Sequence, residues 1–471
     1  MKLIIALITF LFSLTSTSQV EFKYKLSKPY CILNFMETAI GNHGTSKTLK
    51  VFIDDKLQNN NEFKNICAEY RKINLEYNFK RSEFPVRRSQ NNSTFDLISM
   101  QAVNANSLEE FREKCLGLIP ISSNQKLFEV LSKAEIIYDK TIWNEYKNKA
   151  QKQLKSLSKY KTINAEIFNK FNLFYNSTWT KDIPFQVAIY PIPGRKGVTS
   201  ATPHINSLCI GVLTEGTNNN SLNGVIIHEM CHILYGEQSV DFQQELNSAF
   251  DKNKSPFSSF AYSYINEALA TALGNGWSYK KMNGKIDETD WYNDVIINDF
   301  AKTLYPLVND YLEQNKIIDA KFIDEAIISF GTKFPNAIYE YSNLLNSIIF
   351  YSDDIEENEA VNIIGNYFNI SSLNISSPIL HPFSVESMQD STLTQLFVID
   401  SNQNETIIKL SDVFPEIKNF KFDKTPINLS FIDAKGRAVI ILILNNKQEL
   451  NSELEKMKNK KLFDASNPLQ N

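Results

Sequence analysis

Apolar and polar positions are arranged most clearly in the centre of the chain. Phe185 to Tyr190 is a compact β-prone run, closed by Pro191 and by Pro193-Gly194, and Leu208 to Leu213 is a second run of the same kind. From Val225 to Tyr235 the apolar residues fall at Val225, Ile226, Met230, Ile233 and Leu234, the spacing of one helix face. Ser221 or Asn223 can cap that helix and Gly236 can stop it. The predicted order is strand, strand, helix.

Further along, Tyr262 to Leu273 reads as a helix ending at Gly274, and Trp291 to Leu312 as a long helix with Tyr292, Val295, Ile296, Phe300, Leu304, Leu307 and Tyr311 on one face. More helices are expected over Phe322 to Phe330, Ile338 to Phe350 and Ala360 to Phe368. From Leu396 the pattern changes, since Leu396 to Ile399, Leu429 to Ile432 and Ala438 to Leu444 are strand-like. Upstream, Tyr24 to Lys161 mixes short alternations (Leu49 to Ile53, Leu97 to Met100) with Asn-rich stretches and a Lys-rich helical segment, Trp143 to Leu157. These patterns predict an α+β protein. An N-terminal mixed α/β or helical domain spans 19–161, a central domain 162–370, and a small α/β domain 371–471.

Composition narrows the function classes. With 471 residues, 43 % apolar and 22 % charged, the chain is an ordinary globular protein of two or three domains. A net charge of -4 gives no field that would gather nucleic acid or anionic membrane. Lys80-Arg81 with Arg87-Arg88 is short and reads as a solvated face. At the N-terminus, Met1-Lys2 precedes an apolar run from Leu3 to Leu14 and then Thr15-Ser16-Thr17-Ser18. That order predicts a cleaved secretory signal over 1–18, too short for the ~20 apolar residues of a span. A soluble secreted or periplasmic product without stable membrane insertion is therefore expected. Five cysteines at irregular spacing, Cys31, Cys67, Cys115, Cys209 and Cys231, do not resemble a disulfide framework, although one bridge among the first three stays open.

The chemistry centres on His228-Glu229-Met230-Cys231-His232, a His-Glu-x-x-His pattern on the predicted helix. Histidines at i and i+4 project from one face and can reach the same ion, while Glu229 projects to the side as a proton acceptor. With 5 histidines in the chain, chance would produce this pattern on the order of 0.003 times. Catalytic zinc generally takes three protein ligands. A metzincin would carry Gly and His where Tyr235 and Gln238 stand, so a glutamate on a later helix fits better. Asn266-Glu267-Ala268-Leu269-Ala270-Thr271 supplies one, and its alanines allow two helices close approach. Asp251 and Glu245 are the other third-ligand candidates. Cys231, between the histidines, reads as a buried thiol.

Over Phe185 to Leu312 the chain resembles the gluzincins, the thermolysin-like clan of zinc peptidases. The resemblance implies a zincin-like domain, a mixed sheet and active-site helix followed by a helical subdomain. It also implies Zn2+ on His228, His232 and Glu267, with Glu229 as general base toward a metal-activated water, and a peptide or protein as substrate. Two departures stand out: the ligand spacing is longer than in thermolysin, and Thr271 stands where thermolysin has an aspartate that orients a ligand histidine. His204, before the second strand, and Tyr264, three residues before Glu267, are candidate oxyanion or substrate donors, followed by Tyr305 and His381. His43, in Gly41-Asn42-His43-Gly44, reads as a loop residue. The competing readings are an inactive binding protein that keeps the zincin fold, and a structural metal site. Retention of Glu229 and a three-ligand set speak for catalysis over both.

Overall fold

The computed structural model describes residues 19–42, 44–80, 91–216, 218–391, 393–422 and 424–464. The expected signal over 1–18, most of the basic stretch from Arg81 to Arg88, and His43 lie outside the described residues. In chain order the strands are β1 (Phe22–Lys25), β2 (Asn78–Lys80), β3 (Asn91–Ser93), β4 (Phe185–Ile192), β5 (Ala201–His204), β6 (Ser207–Leu213), β7 (Ser347–Ser352), β8 (Ser372–Ser376), β9 (Thr394–Ile399), β10 (Ile427–Ile432) and β11 (Ala438–Ile443). The architecture is mixed α/β with two larger mixed sheets, compatible with the expected α+β class. Two compact units divide the chain: the first runs to Phe79 and from Asn91 to Glu237, and the second takes Lys80–Gln90 and the residues from Gln238 onward.

In the first unit the sheet order is β1-β4-β6-β5, with β1, β4 and β6 parallel and β5 an antiparallel edge. β4 is buried at every position, as a parallel strand covered on both faces must be. Pro191 does not close it. β4 continues to Ile192, with Pro191 opposite Val212. Parity explains why: the Phe185 N–H bonds Glu21 on the β1 side and the Gln186 N–H bonds Asn206 on the β6 side, so odd positions direct their backbone groups toward β1. Pairing with β1 stops at Ala188, and the N–H that Pro191 lacks would have pointed where no strand stands.

Ala188, Tyr190 and Ile192 of β4 and Cys209 of β6 join one apolar core with the helices of the preceding sequence, from Lys28–Ile40 to Ile121–Tyr138. The short alternations at Leu49 and Leu97 belong to helices, Lys47–Leu57 and Thr94–Val103. The Asn-rich stretches start helices: the Asn60 side chain accepts the Phe63 N–H ahead of Asn61–Tyr70. All five cysteines are buried and free, so no bridge links Cys31, Cys67 or Cys115.

The second unit begins with the helices Val240–Lys252, Ser258–Thr271, Val295–Glu313 and Ala320–Lys333. Ser258–Thr271 does not stop at Gly274; it runs on through π-helical turns over Ala272–Ser278 and ends at Gly284, in the left-handed conformation with φ 74°. Gly276 sits inside those turns because a Cβ there would stand 2.8 Å from the Tyr305 ring and 2.9 Å from Trp291. The expected helix over Ile338 to Phe350 is also corrected. Only Ala337–Tyr339 and Tyr341–Leu344 form single turns, and β7 follows as a buried inner strand. A short β-branched and aromatic run such as Ile348-Ile349-Phe350-Tyr351 has no period that separates strand from helix, and parallel pairing with β8 and β9 decides for strand. The sheet order is β10-β11-β9-β7-β8, with β10 antiparallel, so this sheet recruits its first strand well before residue 370. Among the described residues no helix is long and apolar enough to cross a membrane.

Candidate metal centre

The motif lies on the helix Asn219–Gly236, capped by Asn218, whose side chain accepts the Asn220 and Ser221 N–H groups. Ile226, Ile227, Met230, Cys231, Ile233 and Leu234 are buried, whereas His228, Glu229 and His232 are half-buried. One helical turn brings the two imidazoles together, with ring centroids 4.8 Å apart and planes at 80°. Their Nε2 atoms are 3.1 Å apart. Two nitrogens bound at 2.0–2.1 Å to one tetrahedral ion stand about 3.3 Å from each other, so this spacing suits a shared metal.

Glu267 completes the group: one ligand atom each from His228, His232 and Glu267 lies within 4.8 Å of the others. Among the described residues this is the one set of three His, Cys, Asp or Glu side chains gathered so closely. Asp251 and Glu245 are exposed on Val240–Lys252, and Asp251 accepts the Asn247 amide at 2.9 Å. At the metzincin positions, Tyr235 is buried against the Tyr175 ring and Gln238 is buried. Cys231 is also buried; burial raises its thiol well above the ordinary range, outweighing a hydrogen bond with Tyr175, so it stays protonated and is a poor ligand. Two imidazole nitrogens and one carboxylate oxygen are the donor set of an open zinc site.

A polar tie that sequence reasoning missed holds the motif helix. Asn223 and Asn164, both 0 % exposed, exchange amide hydrogen bonds of 2.8 and 3.1 Å, and Asn164 also donates to the Tyr24 hydroxyl at 3.0 Å. Asn164 is on the neighbouring helix Lys161–Tyr175. The available signal was an asparagine between the apolar residues Leu222 and Val225; its partner, 59 positions away, leaves no local mark. Asn164→Leu removes both of these bonds to Asn223 and should lower unfolding free energy by ~1–3 kcal/mol, measurable by urea denaturation.

His204 is at the end of edge strand β5 but only 4 % exposed, its Nδ1 2.9 Å from Asp96 Oδ1 and its ring packed on Tyr30 and Phe95. It shares parity with Thr202, which pairs with Cys209, so its side chain points into the helical core on that face. Tyr264 is buried, stacked on Phe330, and its hydroxyl donates to Asn343 at 3.0 Å. Tyr305 packs edge-on against Trp291, and His381 caps the helix Pro382–Asp390.

Burial would raise the Asp96 carboxyl, but the hydrogen bond and charge of His204, with Ser93 at the helix cap, hold it below the usual carboxylate range. A depressed folded-state pKa contributes stability above the unfolded value, lost as pH falls through the folded one. Asp96→Asn should therefore be less stable than wild type at pH 7, and the difference should close on acidification below the ordinary aspartate range. Denaturant unfolding of both proteins at several pH values reads it.

No protein-family model, curated protein or solved structure matches the chain.

Proposed function

We propose that the chain is an exported zinc-dependent peptidase of gluzincin type, with a zincin-like domain around the motif helix. The observation that carries this reading is the convergence of the His228, His232 and Glu267 ligand atoms beside a retained Glu229. These three side chains would hold the ion. A zinc ion there supplies Lewis acidity, lowering the pKa of a water toward neutrality and polarising a carbonyl.

The chain's own part is proton transfer and alignment. Glu229, adjacent to a ligand yet directed to the side of its face, takes a proton onto its carboxylate and returns it to the leaving amine. The motif helix packs on β5, the antiparallel edge of the sheet, and an extended peptide is the substrate form that suits such an edge. The apolar Leu3 to Leu14 run supports export, and the mild net charge of -4 favours peptide over nucleic acid as partner.

The test is digestion of a diverse peptide library by the purified protein, with a zinc chelator and after zinc is restored. Cleavage lost to the chelator and recovered with zinc is the expected result. Cleavage indifferent to chelation, or none from zinc-loaded protein, would remove the proposal.

A further inference from the structure

Thr271 stands one turn after Glu267 on the helix Ser258–Thr271, close to the same face. It is 0 % exposed, and its hydroxyl has no hydrogen-bond partner among the described residues. Buried hydroxyls are ordinarily paired, because a donor removed from water without a replacement is unfavourable.

Several helical hydroxyls in this chain return to the carbonyl four residues earlier, as Thr38 does to Asn34, Ser132 to Phe128, Thr141 to Ile137 and Thr303 to Asp299, whereas Thr271, like Ser99 and Ser278, is buried without such a bond. Thr271 makes no such bond to Glu267. Its hydroxyl is thus left without a backbone acceptor, and the side chain four positions back is its natural neighbour on the helix surface.

We propose that Thr271 is a positioning residue for the metal site: with an ion held by His228, His232 and Glu267, its hydroxyl donates to the Glu267 carboxylate oxygen turned away from that ion. The inference rests on the zinc reading above. A ligand carboxylate held by a hydrogen bond loses less freedom on binding, and such bonds behind ligands commonly strengthen metal affinity. The hydroxyl in turn gains the partner it lacks.

The experiment compares the full-length wild type, Thr271→Val and Thr271→Ser for zinc affinity, by competition with a chelating dye, and for melting of the metal-free protein. Valine keeps the shape and removes the donor; serine keeps the donor. Thr271→Val should weaken zinc binding by about 10–100-fold, with Thr271→Ser remaining within about threefold of wild type. Metal-free Thr271→Val should melt at or above wild type, because no bond is lost. Unchanged zinc affinity in Thr271→Val overturns the proposal, and so does a clearly lower melting point of its metal-free form, which would mark a structural role. Zinc binding by wild type with an indifferent valine variant sinks Thr271 alone; absence of zinc binding in wild type sinks the peptidase reading and this inference together.

Discussion

Glu229→Gln should lower peptide cleavage by on the order of 10²–10⁴-fold while leaving zinc content at the wild-type level. Glutamine has the same size and still forms hydrogen bonds, but it cannot carry a proton from water to the leaving amine. The loss corresponds to ~3–5 kcal/mol of transition-state stabilisation. Because Glu229 is not among the three grouped ligands, metal occupancy and turnover should separate in this variant. Initial rates on one susceptible peptide, with zinc measured in the same samples, give both quantities. Equal rates in the two proteins would remove Glu229 from the chemistry, and parallel loss of zinc would make it a supporting residue of the site.

The second large effect concerns the third ligand. Glu267→Ala should weaken zinc binding by more than about 100-fold, beyond the ~10–100-fold that follows loss of a group behind a ligand. Two imidazoles then remain, with the third protein position lost. Asp251→Ala is the informative control, since Asp251 is exposed, engaged with Asn247 and outside the group of three. Its zinc affinity should equal that of wild type. If Asp251→Ala loses zinc and Glu267→Ala keeps it, the assignment of the third ligand is reversed.

Much of the candidate centre was legible because its information is local. A four-residue offset on a helix places two imidazoles side by side whatever surrounds them, and the His228–His232 geometry follows directly. Glu267 was legible for a weaker reason: a glutamate among small residues on a later helix is compatible with close approach, but the spacing left Asp251 and Glu245 open. What was not legible depends on partners distant in sequence. His204 looked free for catalysis beside a strand, whereas Asp96, 108 positions away, engages its Nδ1.

Pro191 misled for a related reason. A proline ends a central strand only where its missing N–H faces a partner, and neither the parity of β4 nor the length of β1 can be read from the β4 residues alone. The run from Ile338 to Phe350 shows the limit of periodicity. Its apolar density suits either structure, and the presence of β8 and β9 on both sides made the later half a strand. Gly274 was read as a stop because glycine favours helix ends, yet the helix widened into π turns and carried on.

The placement of the thiols gives the molecule an internal reporter. Cys31, Cys67, Cys115, Cys209 and Cys231 all precede Gln238, and the remainder of the chain contains no cysteine. Burial pushes the Cys31 and Cys115 thiols up to about 12 and raises Cys209 and Cys231 as well, so an alkylating dye meets almost no thiolate in the native protein at neutral pH. Labelling must wait for opening of the first unit. Its rate therefore times the exposure of that half of the polypeptide, and a disturbance confined to the carboxyl-terminal half leaves the dye signal silent.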